Sequence, residues 1–330
     1  MVNWRQNRSK TRLRGETIRT GCGVTTSSET RVPPGTVLRG KWNGRSYRIG
    51  RMLGIGANGQ VYMAVSGMRT YALKIGMQIE DLQAEANVLA SLDQRERGRP
   101  PFLLDVDDAE WQGRVLPFYV MQYIPGVPVK AYLAEHGSAW YGVVGYRLLH
   151  RLSELHAAGW VFGDIKSDNI LVTDYGRVAL VDFGGMTAIG RSVRQFTEVY
   201  DRGYWSAGSR TADPAYDVFS AAVLWIHALD GKRLLHMTKM LLPQNRHPRE
   251  LMALVRSHAE LKKMESWMER ALYGKFKDAR EASEHWRAGM RAAADEAVHK
   301  SRGKVPGWMA GLFAASLLLC VSAAAFWLLQ

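Results

Sequence analysis

The chain has 330 residues, 47% of them hydrophobic and 23% charged, which describes a globular protein with a real core and excludes a wholly disordered, collagen-like or coiled-coil chain. Its formal charge of +13 is unevenly spread: residues 1–31 carry net +5, residues 32–231 are neutral, and residues 232–304 carry net +8. A neutral centre between basic flanks points to a central machine whose periphery meets anionic surfaces such as DNA or acidic lipid. Two cysteines, Cys22 in a basic arm and Cys320 in an apolar run, make neither a disulfide scaffold nor a zinc site and fit a reducing compartment.

In chain order, residues 1–35 read as a basic N-terminal arm without the apolar run of a secretory signal. Residues 36–75 hold short β-type runs punctuated by Gly and Asn, the pattern of antiparallel hairpins. A helix is predicted over 79–92, and two further strands over 102–106 and 115–123. From Ala131 the pattern is mostly helical, notably at 141–157 and 217–229, with a loop-rich stretch from Gly159 to Pro214. A basic linker over 291–307 then leads to residues 308–329, which are uncharged and long enough to cross the roughly 30 Å hydrocarbon core as one transmembrane helix. Trp308 and Trp327 stand near its ends as interfacial anchors. His299, Lys300, Arg302 and Lys304 precede it and only Gln330 follows, so residues 1–304 are expected in the cytoplasm, without an extracellular sensor. Gly307, Gly311 and Ala315 form a small-residue face along this helix, which suits a homodimer.

The chemistry-bearing residues lie in the centre. Leu53 to Val61 is a G-x-G-x-x-G-x-V run, with Gly54, Gly56 and Gly59, set between β-type runs; such glycines let backbone amides close over phosphates. A strand follows it, where a dinucleotide fold would have a helix. Lys74 ends the run Tyr71-Ala72-Leu73-Lys74, and Glu85 lies on the predicted helix, where it could hold Lys74 by an ion pair. In Trp160 to Val172, the residues Asp164, Lys166 and Asn169 put a carboxylate, an ammonium and an amide in one loop, and Asp182-Phe183-Gly184 adds a second carboxylate. Hard oxygen ligands of this kind suit Mg²⁺ carrying a nucleotide.

In this order and spacing the motifs resemble those of the Hanks-type, eukaryotic-like serine/threonine protein kinases over about residues 36–290. The resemblance implies an α+β, two-lobed protein kinase fold: a small β-rich N-lobe over about 36–123 and a larger helical C-lobe over about 124–290. It further implies ATP and Mg²⁺ as cofactors and cytoplasmic proteins as substrates. Gly54, Gly56 and Gly59 would cover the phosphates, Lys74 would contact them, and Glu85 would position Lys74. Asp164 would accept the substrate hydroxyl's proton, Lys166 would steady the transferring phosphoryl group, and Asn169 and Asp182 would hold Mg²⁺. Leu53, Val61, Ala72 and Leu171 would wall the purine, Met121 would be the gatekeeper, and Gln122, Tyr123 and Ile124 the hinge that binds adenine. Asp217 resembles the buried aspartate that opens the large central helix of the second lobe.

Within that family the chain looks most like the membrane-tethered YabT-type kinases of spore-forming Bacillus relatives. Lys41-Trp42-Asn43-Gly44, Trp160 to Asp164, Thr197 to Trp205 and the terminal span carry the likeness, which implies a bacterial inner-membrane kinase and sporulation as its setting.

Two departures bear on mechanism. Phe162-Gly163-Asp164 replaces His-Arg-Asp, which removes the cation that a phosphorylated activation loop would neutralise; phosphates on Thr187, Ser192 or Thr197 are therefore expected to be by-products. Ala-Pro-Glu is missing, with Asp201-Arg202-Gly203 or its neighbours in its place, and Lys275 stands near the position of the arginine that normally pairs with its glutamate, so both partners read as replaced. Two other readings are a pseudokinase scaffold and a polyanion-binding membrane protein. The first is disfavoured by the complete motif set; for the second, a solvated surface is the commoner explanation of such charge, and no helix-turn-helix or zinc-finger pattern supports sequence-specific reading.

Overall fold

The computed structural model describes residues 31–56, 58–93, 102–194, 197–301 and 307–328. Nearly all of the basic arm and the cysteine at position 22 therefore lie outside the described residues, as does Leu329 at the end of the expected span.

The N-lobe is a six-stranded antiparallel sheet in the order β1-β2-β3-β4-β6-β5, made of β1 (Val37–Arg39), β2 (Ser46–Gly56), β3 (Gly59–Ser66), β4 (Arg69–Gly76), β5 (Leu103–Trp111) and β6 (Arg114–Gln122). A bridge from Gly40 to Ala109 joins the chain just after β1 to β5, so the two edges of the sheet meet. One face packs Tyr47, Ile49, Tyr62, Leu73, Phe118 and Val120 into a local core. The other receives the helix α1 (Ile79–Asp93), whose residues Leu82, Glu85, Ala86 and Leu89 fall on one buried face at helical spacing.

Strand β5 runs to Trp111, past the boundary expected at 106, and carries Asp105, Asp107 and Asp108 against ordinary strand propensity. Tertiary hydrogen bonds explain it. Asp107 accepts from the backbone amides of Trp42 (3.0 Å) and Asn43 (3.0 Å), Asp108 from the Trp42 indole (3.1 Å), and Asp105 from the Asn43 amide (2.6 Å) and the Tyr47 hydroxyl (2.6 Å). The Lys41-Trp42-Asn43-Gly44 string is thus a loop clamped by an acidic strand. Gly40 permits the approach, since a Cβ there would lie 2.2 Å from a carboxylate oxygen of Asp107.

The C-lobe follows through β7 (Val127–Pro128), α2 (Val129–His136), α3 (Tyr141–Ala157), β8 (Trp160–Val161), β9 (Ile170–Thr173), β10 (Arg177–Leu180), β11 (Thr187–Ala188), α4 (Pro214–Met240), α5 (Pro248–Ser257), α6 (Ala259–Lys262), α7 (Glu265–Leu272) and α8 (Ala279–Ser301). Helix α3 matches its predicted bounds, and α4 extends the predicted 217–229 in both directions. The stretch expected to be loop-rich contains four short strands: β9 and β10 form one sheet with the earlier β7, and β11 pairs with β8. Trp286 on α8 inserts against α3, where a Cβ on Gly145 would lie 2.2 Å from its ring, and donates its indole N–H to the Gly142 carbonyl at 2.8 Å. Helix α8 continues to Ser301, so the domain boundary expected at 290 falls inside a helix and the linker expected over 291–307 is helical in its first part.

The last helix, α9, covers Gly307–Leu328 and contains no charged residue. Among the described residues no helix is long and apolar enough to cross a membrane, and the side chains of α9 are described without a break only over 311–327.

Candidate active site

The cleft between the lobes gathers side chains from β2, β3, β4, α1, β6 and the loops around β9 and β10. Strands β2 and β3 meet at Gly56 opposite Gly59, which puts the glycine run at a hairpin tip. Only Gly59 is demanded by the fold itself: its φ is +149°, and a Cβ there would lie 2.2 Å from the Ile75 carbonyl oxygen. A Cβ on Gly54 would meet nothing within 4 Å, and one on Gly56 only an oxygen of Asp182 at 4.0 Å. Those two positions leave open the space that phosphates would need.

Lys74 lies in β4 between Val61 of β3 and Tyr119 of β6. The residue is 3% exposed, and its ammonium reaches Glu85 Oε2 at 2.7 Å and Asp182 Oδ1 at 2.8 Å. The second oxygen of Glu85 accepts from the Tyr119 hydroxyl at 2.8 Å. Sequence reasoning missed Tyr119: nothing in a buried strand marks which residue faces a carboxylate on a distant helix. Burial pulls the Lys74 ammonium down, but Glu85 and Asp182 outweigh it and hold its pKa above the ordinary lysine value. Burial likewise pushes Asp182 up and is outweighed by Lys74, which keeps that carboxyl below the usual range. At Glu85 burial prevails over Lys74, and its carboxyl is raised.

Asp182 has a φ of +61°, unusual for a residue with a side chain. Phe183 beside it is buried, edge-on to Phe102 (5.3 Å between ring centres) and Phe162 (5.9 Å). Across the cleft, Asp164 Oδ2 accepts from Lys166 (2.7 Å) and from the Asn169 amide (2.8 Å), while the Asn169 amide also donates to the Asp164 carbonyl (2.9 Å). The remaining oxygen, Asp164 Oδ1, is buried without a hydrogen-bond partner among the described residues.

Asp217, at the start of α4, is fully buried and anchors this loop by accepting from the amides of Phe162 (2.7 Å) and Gly163 (2.9 Å) and by contacting His156 at 3.0 Å. Leu53, Val61, Ala72 and Met121 belong to one apolar cluster. Ala72 stands opposite Met121 in the sheet, and Leu171 lies opposite Pro128, five residues after Tyr123. Gln122 donates its backbone N–H to Phe102 at 2.9 Å, and the Tyr123 hydroxyl accepts from Arg51 at 3.4 Å.

At the missing Ala-Pro-Glu the acid persists but its partner has moved. Asp201 is fully buried and pairs with Arg210 at 2.7 Å, within the same loop, whereas the Lys275 ammonium lies over the Tyr273 ring. Arg202 forms a second, bidentate pair with Asp213 (2.8 and 2.5 Å), the residue that caps α4.

A buried lysine locked to a helix glutamate and to Asp182, and across the cleft a carboxylate with one free oxygen held by a lysine and an Asn, make an arrangement suited to phosphoryl transfer. Residues 47–299 match the protein kinase domain, and the chain belongs to the protein kinase family. It is 36% identical over 274 residues to Serine/threonine-protein kinase YabT of Bacillus subtilis (strain 168), covering 81% of this chain and 79% of that one. The Hanks-type assignment and the likeness to YabT are thereby established. Serine/threonine-protein kinase PknA of Mycobacterium tuberculosis (strain ATCC 25618 / H37Rv) is 30% identical over 217 residues, covering 57% of this chain and 47% of its own. The structure of vaccinia related kinase 3 superposes with a TM-score of 0.57 at 17% identity, over 81% of this chain and 93% of that one, a likeness of fold alone.

Proposed function

We propose that the chain is a membrane-anchored serine/threonine kinase that moves the γ-phosphate of ATP to hydroxyl groups of cytoplasmic proteins, its own included. One observation carries the catalytic reading: the Lys74 ammonium bridges Glu85 and Asp182 at 2.7 and 2.8 Å, which aligns α1 with the cleft. Lys74 would bind the nucleotide phosphates. Asp164 would take the attacking hydroxyl's proton on Oδ1, the oxygen left free, while Lys166 and Asn169 hold Oδ2 and so fix the carboxylate's orientation. The substrate oxygen bonds to the γ-phosphorus as the bond to the ADP oxygen breaks.

Mg²⁺ fits the donors present. The Asn169 amide nitrogen is committed to Asp164, which leaves its carbonyl oxygen, and Asp182 supplies a carboxylate. One amide oxygen and one carboxylate suit an ion bound through one or two protein oxygens plus phosphates. When bound, the metal neutralises charge on the phosphates. In the purified protein, transfer of labelled phosphate by wild type and its loss in Asp164→Asn test the reading; transfer unchanged in that variant would remove Asp164 from the role.

Anchoring is supported by the uncharged helix α9, along which Phe313, Leu318 and Trp327 are exposed with no protein surface to cover them among the described residues. Gly311, with nothing within 4 Å of where its Cβ would lie, leaves room for a second α9 in a homodimer. The basic stretch before α9 would then lie beside an anionic leaflet, where it would meet acidic lipid or DNA. Lys263, farther up the basic part of the chain, is offset by Glu260 at 2.7 Å. Membranes washed at alkaline pH should retain the chain; its release into the supernatant would exclude a span. The same preparation, mixed with DNA or anionic vesicles at rising salt, checks the accompanying contact, and indifference to both at low salt would exclude it.

A further inference from the structure

The activation segment, from Asp182 to the loop before α4, faces a catalytic loop in which Gly163 replaces the arginine that would receive a loop phosphate, yet it is held in place over 187–194. Backbone bonds stitch it on two sides. Thr187 and Ala188 of β11 pair with β8, and Ile189 donates to the Gly159 carbonyl at 3.0 Å. On the other side Val193 donates to Arg210 (2.8 Å), Ala212 to Arg191 (2.7 Å) and Gly190 to Ala212 (2.8 Å), around a bridge between Ser192 and Thr211.

Within 189–194 every side chain is exposed except one. Val193 is 4% exposed and packs with Val161, Ala212 and Tyr216 in a small cluster separate from the main core. Its neighbours come from the strand that enters the catalytic loop and from the segment that enters α4. Val193 therefore joins three lengths of chain. Gly163 adjoins it, with a φ of +76°; a Cβ there would lie 2.6 Å from the Gly185 carbonyl oxygen and 3.3 Å from Val193 Cγ1. An arginine has no room at position 163, and the space beside it is filled by the valine.

We infer that Val193 is a positioning residue for phosphoryl transfer: an apolar peg that holds the activation segment against the catalytic loop by burial, in place of a phosphate held by an arginine. The inference rests on the kinase reading but concerns protein substrate rather than nucleotide, because Lys74, Glu85 and Asp182 are tied together without it. The segment's own sequence supplies the reporter, since Arg191 and Arg194 flank the peg as trypsin sites.

The test compares the full-length protein in detergent with Val193→Asp, Val193→Ala and Val193→Ile. Four quantities are followed: kcat and KM for myelin basic protein, affinity for a fluorescent ADP, and the rate of tryptic cutting after Arg191 and Arg194. Burial of one valine side chain sets the expected size: Val193→Asp should lower kcat/KM at least about tenfold and speed cutting by a similar factor, with ADP affinity within about twofold. Val193→Ala should show the same split more weakly, and Val193→Ile should stay within about threefold of wild type on every measure. Wild type treated with phosphatase should keep both its activity and its slow cutting.

The peg is refuted if Val193→Asp phosphorylates normally, or if it loses activity without faster cutting. Loss of ADP binding in both the Asp and Ala variants also refutes it, since Val193 would then serve only folding. So does release of the segment by phosphatase alone. Wild type that binds ADP but transfers no phosphate would sink the kinase reading instead, a different result from an active enzyme indifferent to position 193.

Discussion

Lys74→Met and Asp182→Asn are each expected to reduce self-phosphorylation by at least about a hundredfold, the usual cost of losing a preorganised charge at a phosphoryl-transfer site. The two variants should differ in stability. Asp182→Asn removes a partly exposed carboxylate and leaves the Lys74–Glu85 pair at 2.7 Å. Lys74→Met keeps side-chain length but leaves Glu85, only 4% exposed, without its cation; breaking a buried pair on one side costs about 3–5 kcal/mol. The Glu85 carboxyl, already pushed up by burial, rises further in that variant and takes a proton on folding. A raised carboxyl favours the folded state most below the ordinary glutamate range and loses that advantage as pH rises through the raised value. The melting-temperature deficit of Lys74→Met should therefore be wider at about pH 8 than at about pH 5.5. Self-phosphorylation at the wild-type rate in either variant would overturn the assignment of these residues, and a deficit independent of pH would show that Glu85 does not take up the proton.

Asp217→Ala is expected to lower the unfolding free energy by about 3–5 kcal/mol, because two buried backbone amides and His156 lose their acceptor together. The amides are those of Phe162 and Gly163, so the same change loosens the loop that presents Asp164. Denaturant unfolding and kcat should fall together, while Asp217→Asn, which keeps one acceptor oxygen, should recover part of both. A loss below about 1 kcal/mol on Asp217→Ala would mean that water replaces the carboxylate and that the loop is held by other contacts.

Motifs whose chemistry depends on order and spacing along the chain are legible in the sequence. Glycines for close backbone approach, a lysine ending a strand, and a carboxylate, lysine and asparagine within six residues are local patterns, and the helices at 79–92 and 141–157 follow from apolar periodicity that their burial requires. The four strands between Gly159 and Pro214 are not legible there, because two- and four-residue strands are too short to develop an alternating pattern. Asp105, Asp107 and Asp108 argue against a longer β5 on propensity alone, and the partners that reverse the argument, Trp42 and Asn43, lie more than sixty residues away.

By itself the sequence determined the class of fold, through the family resemblance that its motif order carries, and named a candidate set of residues for phosphoryl transfer, since those motifs reside in local spacing. Only the tertiary structure decided how that set is held: that Tyr119 shares Glu85 with Lys74, that Asp201 takes its cation from Arg210, and that Val193 fills the space beside Gly163. These are choices among partners distant in sequence, settled by which buried charges and apolar groups can reach one another once the backbone has closed around them.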